Sequence, residues 1–154
     1  MNFTKLLKPE AIKVLGSVSS KKRLLHEVGD LAAATYDLNA GMVVEALIAR
    51  EALGPTGVGH GVALPHARVP GLSDVVGLFV LLEKPVDFSA VDRQPVDIAF
   101  ALFAPEEAGV EHLKALALVS RTLRDSSVCA KLRANPDATK LFAILGEAQS
   151  AQAA

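Results

Sequence analysis

Only one cysteine, Cys129, occurs among the 154 residues. No disulfide can therefore form within the chain, and no cysteine cluster can hold zinc. An excess of charge of one sign is missing as well: Lys and Arg number 16 and Asp and Glu 17, for a formal net charge of -1. With no basic run or stripe, a nucleic-acid partner has no electrostatic footprint here, and the same balance argues against binding an acidic membrane surface. Long apolar runs are lacking too. Stretches such as Val75–Leu82 fall far short of the ~20 residues that cross a bilayer. Residues 1–15 interleave Lys5, Lys8, Glu10 and Lys13 with apolar positions, so they lack the unbroken apolar core of a signal peptide. No internal repeat, linker or shift of composition divides the chain. The expectation is a soluble cytoplasmic protein, with no membrane insertion and no nucleic-acid ligand.

What is present is globular composition, 51% apolar and 21% charged, at a length suited to one domain spanning 1–154 with an ordered core of about 5–146. Leu6-Leu7 and 11–15 read as short extended or connecting pieces, broken by Pro9 and Gly16. Ser19 or Ser20 can cap a helix running to about Ala34, with Leu24, Leu25, Val28 and Leu31 on one face. Asn39 can cap the next, whose apolar side would hold Met42, Val43, Ala46, Leu47 and Ala49, and which Gly54-Pro55 stops. Residues 74–83 and 96–104 are rich in Val, Leu, Ala and Phe and read as buried strands. A third helix is predicted over 109–123 with Leu113, Leu116, Ala117 and Ser120 at helical spacing. A short fourth begins at Ser126 or Ser127, and a last one runs from Asn135-Pro136 to Leu145, leaving a frayed tail over 146–154. Helices alternating with apolar strands imply an α/β layer fold, with helices covering a central, mostly buried sheet.

Between the second helix and the first long strand, four glycines fall within eight residues: Gly54, Gly57, Gly59 and Gly61. Pro55 and Pro65 lie near the two ends of the stretch, and His66 follows. Glycines allow positive φ or close backbone approach, and exposed N–H groups in such a turn can form an anion-binding concavity. An imidazole held there suits covalent phosphoryl transfer. Its neutral form is a competent nucleophile near pH 7, since the free pKa is about 6.5, and the rest of the chemistry is positioning and charge stabilisation. Arg50, Thr56 and His112 are candidates for that work, an arginine fork being matched to phosphoryl oxygens. Each has a plainer reading. Arg50 suits the negative end of a helix, Thr56 before Gly57 is a turn residue, and His112 near a helix start is solvated or capping. His60 and His26 read as exposed, and the glycine stretch is neither a Walker loop nor G-x-G-x-x-G. A metal module built on His60, His66 and His112 is the rival from another class.

The stretch REALGPTGVGHGVALPHA, residues 50–67, resembles the active-site region of phosphotransferase-system (PTS) enzyme IIA domains of the fructose, mannitol and nitrogen-regulatory type. Their shared pattern is an Arg-Glu pair, a Thr-Gly turn, then Gly-x-Ala-x-Pro-His and a small residue. Residues 86–123 continue the likeness with a Phe-x-Ala-x-Asp-x-x-Pro-Val-Asp block, a strand ending in Ala-Pro and a His-Leu helix start. In all, it covers roughly residues 5–145. The resemblance implies a mixed sheet with helices on both faces. It implies His66 as the phosphorylated histidine, His112 as a second active-site histidine hydrogen-bonding the phosphoryl oxygens, and Arg50 as the cation beside them. Thr56, with Gly57 and Gly61, would line the rim that meets the phosphoryl group. His60 stands where relatives commonly carry Asn or another polar residue, so a third imidazole could join that rim. An HPr-type phosphocarrier is the implied donor, and no metal or organic cofactor is implied.

Sugar-specific IIA domains are often fused to IIB and IIC parts. The length read as a free-standing chain, together with the 92–105 block, is closer to the nitrogen-regulatory branch. There a nitrogen-type HPr homologue supplies the phosphoryl group, and the phosphorylation state controls partners such as potassium-uptake regulators. A free-standing fructose- or mannitol-type IIA passing phosphate to a IIB domain is the alternative.

Overall fold

A computed structural model describes residues 2–153, so the end residues Met1 and Ala154 of the expected span lie outside the described residues. In chain order the elements are α1 (Phe3–Leu6), β1 (Leu7–Leu15), α2 (Lys21–Tyr36), α3 (Ala40–Ala52), β2 (Gly57–Gly59), β3 (Val62–Ala63) and β4 (His66–Arg68). Then come β5 (Val76–Val86), β6 (Val96–Ala104), α4 (Val110–Arg124), α5 (Ser126–Arg133) and α6 (Ala138–Ala153).

The two strands richest in apolar residues form the centre. β5 and β6 pair antiparallel from Val76 opposite Phe103 to Leu81 opposite Ile98. Leu78–Leu82 and Ile98–Ala104 are buried at every position, as strands covered on both faces must be. β5 runs past the expected end at Glu83 and through Pro85, resuming with Val86 opposite Val96 after a register shift. The six-stranded sheet runs β1-β5-β6-β3-β2, with β4 also on β6. Parallel and antiparallel pairs coexist, giving the mixed sheet that the resemblance implied.

The capping residues act as their types predict. Ser20 accepts from the Arg23 N–H and Asn39 from the Met42 N–H, each satisfying a first-turn donor. α5 begins at Ser126, as expected, with Asp125 as its cap. On α3 the buried positions are Val43, Val44 and Leu47, while Met42 is 46% exposed.

Three expectations are corrected. Residues 7–15 form one strand, not broken pieces. Pro9 is tolerated because β1 lies at the sheet edge, where a missing N–H costs no ladder bond, and the pairing shifts register between Leu7 and Ile12. α6 continues beyond Leu145 to Ala153; its alanine-rich end has high helix propensity, and Gln149 is buried against the fold. On α4 the buried stripe is His112, Ala115, Leu118, Val119, Thr122 and Leu123, while Leu113 is 68% exposed. Both stripes fit a 3.6-residue period, so periodicity alone could not choose between them.

Tyr36, the last residue of α2, closes the irregular part of β1. Its hydroxyl donates to the Gly77 carbonyl at 2.6 Å and accepts from the Lys8 N–H at 3.3 Å. Tyr36→Phe removes both bonds while keeping the ring. The expected loss is about 1 kcal/mol, read as a lower urea midpoint with an unchanged slope.

Candidate active site

β3 and β4 are one strand in two pieces. Val62 and Ala63 pair parallel with Ile98 and Ala99, and His66, Ala67 and Arg68 with Leu102, Phe103 and Ala104, in the same register on either side of the gap. The gap is Leu64-Pro65. Proline has no N–H to give a ladder, and the Leu64 N–H turns instead to the Thr56 carbonyl at 2.9 Å. The Leu64 carbonyl is then within 2.8 Å of His66 Nδ1. A carbonyl can only accept, so Nδ1 carries the proton and Nε2 presents its lone pair. On the other side of the ring, Arg50 Nε donates to His66 Nε2 at 3.2 Å, while Arg50 Nη1 donates to the Gly54 carbonyl at 2.8 Å. The imidazole is held in one tautomer by bonds at both nitrogens.

His112, on the first turn of α4, stands nearly perpendicular to His66, with ring centroids 5.6 Å apart. It is buried, and its Nε2 has no hydrogen-bond partner. Buried polar atoms are normally paired, so this nitrogen is poised for an oxygen brought by a ligand. A cavity of about 530 Å³ opens over both rings, lined by Arg50 and Leu53 from the end of α3, His66 and Arg68 of β4, and His112 and Leu113 of α4. A larger hollow of about 800 Å³ lies between Lys5, Asp74 and Glu111 and holds none of the histidines.

The structure thus brings His66, His112 and Arg50 together, and it does not bring Thr56, Gly57 or Gly61 to that cavity. Thr56 is buried, its N–H donating to Glu51 Oε1 at 3.0 Å and its hydroxyl to Glu51 Oε2. Gly57 is demanded by packing: a Cβ there would lie 2.9 Å from Ala90 Cα. Gly61 has φ +80, and a Cβ on it would meet the Arg133 guanidinium at 2.6 Å. These three shape the turn and do not form a rim. His60 is exposed on a different hollow beside Ser120 and Arg124, its N–H bonded to Asp92 at 2.9 Å and its carbonyl to Arg133 at 2.8 Å. The three-histidine metal site is therefore not assembled. Among the described residues no three His, Cys, Asp or Glu side chains are grouped to hold a metal ion. His26 is half-buried on α2, remote in sequence from every residue of the cavity.

Two residues escaped the sequence reading. Arg68 lies two positions after His66, on the same strand face by simple alternation. Its Nη1 donates to the Glu106 carbonyl at 3.3 Å and to that of Ala108, tying β4 to the segment before α4. Alternation would have found it had 66–68 been read as a strand. Glu51 was seen only as half of a motif pair, and no local signal marks its bonds to Thr56.

Both rings are kept neutral. Burial, the largest cause, pushes His66 below the ordinary imidazole value; the Leu64 carbonyl and the Glu51 carboxylate oppose this, while the Arg50 guanidinium adds to it. His112 is lowered by burial, then by His66 and Arg68. A neutral Nε2 lone pair inside a half-enclosed cavity, flanked by a guanidinium and an unpaired imidazole nitrogen, can accept an electrophilic group and stabilise the charge it carries.

Because both folded-state values lie below the unfolded value of about 6.5, the unfolded chain binds the extra protons first as pH falls. The contribution of these rings to stability is complete above pH ~6.5 and declines below it, toward the folded values. A nuclear magnetic resonance titration is expected to place both rings below that value. Urea midpoints should fall between pH ~6.5 and the measured folded values, less steeply in His112→Gln.

Comparison with known proteins identifies the family and the fold. The family described as "Phosphoenolpyruvate-dependent sugar phosphotransferase system, EIIA 2" matches residues 5–148. A nitrogen regulatory protein of Bradyrhizobium diazoefficiens is 48% identical over 145 residues, covering 94% of this chain and 95% of the relative. One from Escherichia coli K12 is 37% identical over 150 residues, covering 97% and 92%. The crystal structure of nitrogen regulatory protein IIA-Ntr from Neisseria meningitidis superimposes with a TM-score of 0.85 at 38% identity, covering 92% of this chain and 97% of that one. The mannitol IIA of Escherichia coli, 20% identical, shares the fold with a TM-score of 0.75 over 90% and 97% of the two chains. With the family match spanning nearly the whole sequence, and relatives named nitrogen regulatory protein aligned end to end, the chain belongs to the enzyme IIA type 2 family of the phosphotransferase system, in its nitrogen-regulatory branch.

Proposed function

We propose that this chain is a single cytoplasmic enzyme IIA domain, residues 1–154, that takes a phosphoryl group on Nε2 of His66 from an HPr-type carrier of the nitrogen PTS. The observation that carries the reading is the tautomer: Nδ1 donates to the Leu64 carbonyl, leaving the Nε2 lone pair beside the Arg50 guanidinium and the cavity. As the Nε2–P bond forms, the donor's N–P bond breaks and its electron pair returns to the donor imidazole. The proton stays on Nδ1, where it is donated to the Leu64 carbonyl. Arg50 Nε–H, displaced from the lone pair, then turns to a phosphoryl oxygen, and the unpaired His112 Nε2, as an N–H, donates to another. Binding energy for the donor comes from the rim, where Leu53 and Leu113 are 85% and 68% exposed. Apolar side chains bared around a reactive centre are interaction surface.

Regulation follows from the same chemistry. A phosphoryl group brings close to two negative charges and three acceptor oxygens to an apolar-rimmed cavity. A target that docks on the bare rim is thereby disfavoured, so the phosphorylation state sorts partners, potassium-uptake regulators among them. No metal or organic cofactor enters the scheme.

Incubation with phosphoenolpyruvate, enzyme I and an HPr-type carrier should add one acid-labile phosphoryl group, placed on His66 by mass spectrometry under alkaline conditions. His66→Ala should take up none; labelling of that variant at full rate would reject the assignment. His112→Ala should still label, with transfer slowed on the order of a hundredfold to a thousandfold for one lost oxyanion donor. Leu113→Asp should raise KM for the donor and leave kcat near its original value, since it touches docking and not chemistry. Rapid onward transfer to a sugar-specific IIB domain would favour the fructose- or mannitol-type role instead.

A further inference from the structure

We propose that Glu51 is a positioning residue for phosphoryl transfer, its buried carboxylate referencing both the Arg50 guanidinium and the His66 ring to the end of α3 through the turn at residues 54–56. The proposal rests on His66 being the phosphoryl acceptor and extends that reading to side chains that never meet the phosphoryl group.

The carboxylate is 6% exposed, and both its oxygens are committed. Oε1 accepts from the Thr56 N–H at 3.0 Å and from Lys21 Nζ at 2.9 Å, and Oε2 accepts from the Thr56 hydroxyl. Lys21 in turn lies 4.6 Å from the centre of the Phe88 ring. Two arms leave this latch. In the first, the Gly54 carbonyl, two residues before Thr56, takes Arg50 Nη1 at 2.8 Å, and Arg50 Nε reaches His66 Nε2 at 3.2 Å. In the second, the Thr56 carbonyl takes the Leu64 N–H at 2.9 Å, and the Leu64 carbonyl takes His66 Nδ1 at 2.8 Å. Cation and nucleophile are therefore set from opposite sides of the imidazole by one side chain.

A stability role alone accounts poorly for this arrangement. Burying a carboxylate carries a desolvation cost that its ion pair often only offsets, and apolar packing serves a core at least as well. What the carboxylate supplies, and an apolar side chain could not, is a fixed register for the turn that carries both arms. The transfer step needs that register. Arg50 must keep Nη1 anchored on Gly54 while Nε moves from the lone pair to a phosphoryl oxygen, and the ring must hold its proton on the Leu64 side.

The test uses the full-length chain with the enzyme I and HPr-type system, and the variants Glu51→Met, Thr56→Val and Thr56→Ser. Glu51→Met removes every acceptor at similar length. Thr56→Val removes only the hydroxyl donor at constant shape and remains informative if Glu51→Met fails to fold. Thr56→Ser restores the hydroxyl. Expected for Glu51→Met and Thr56→Val is a kcat lowered on the order of tenfold to a hundredfold, with KM for the phosphorylated carrier within about twofold because the Leu53 and Leu113 rim is untouched. Thr56→Ser should recover most of kcat. In the unphosphorylated protein, ¹⁵N spectra should show His66 as a single Nδ1–H tautomer in wild type and Thr56→Ser, and as a tautomer mixture in Thr56→Val. Folded Thr56→Val protein with wild-type kcat and an unchanged tautomer overturns the proposal. Wild-type chain that takes up no phosphoryl group overturns the phosphocarrier reading instead, a separate result, since the tautomer comparison is made without phosphate.

Discussion

The hydrogen bond between His66 Nδ1 and the Leu64 carbonyl is the interaction on which the site depends. It exists because Leu64-Pro65 interrupts the strand beside β6 without shifting its register. A proline that cannot donate opens the ladder for two residues, and the sheet resumes in step on the far side. The carbonyl of the first of these residues is then available to the ring of His66. From that single bond follow the tautomer, the direction of the Nε2 lone pair and the contact with Arg50. A strand that merely ended before the histidine would leave its ring free to rotate; a strand that ran through without a break would use the carbonyl in the sheet.

Electrostatics work with this geometry. Burial disfavours the imidazolium, and the Arg50 charge disfavours it further, although the Leu64 carbonyl and Glu51 pull the other way. The balance leaves a neutral ring next to a permanent cation, the arrangement suited to receiving a group that arrives with negative charge. The two arginines of the cavity are each anchored by backbone carbonyls, Arg50 on Gly54 and Arg68 on Glu106 and Ala108. Anchored guanidinium groups lose little further freedom when an anion binds, so more of the contact energy survives as affinity.

Much of this architecture was legible before any coordinates. The mostly apolar stretches at 74–83 and 96–104 read as buried strands, and Ser20, Asn39 and Gly54-Pro55 delimit helices by chemistry that acts within a few residues. The misjudged places are those where a distant element decides. Pro9 argues against a strand unless the strand is an edge, and edges are defined by the rest of the sheet. On α4, the stripe through Leu113 and Leu116 competes with the stripe through Ala115 and Val119, and packing on β6 favours the second. That choice also turns His112 inward and places Leu113 at the cavity rim. Thr56 looked like a residue facing a ligand because its type and position suit a rim. Glu51, five residues away across the helix end, draws it inward instead.

By itself the sequence determined which residue types were available for chemistry, where helices start and stop, which strands are central, and the motif around His66 that names its family. Those properties arise from short-range sterics, hydrogen-bonding capacity and the period of apolar residues, all encoded within a few positions. Only the tertiary structure decided which nitrogen of His66 carries a lone pair, that His112 meets it edge-on, that His60 stays away, and that Glu51 governs the turn between them. The first and last rest on bonds spanning only two and five residues, yet each of the four is set by how its segment packs in the fold. The outcome turns on the relative placement of packed elements to within an ångström, a quantity that local pattern does not carry.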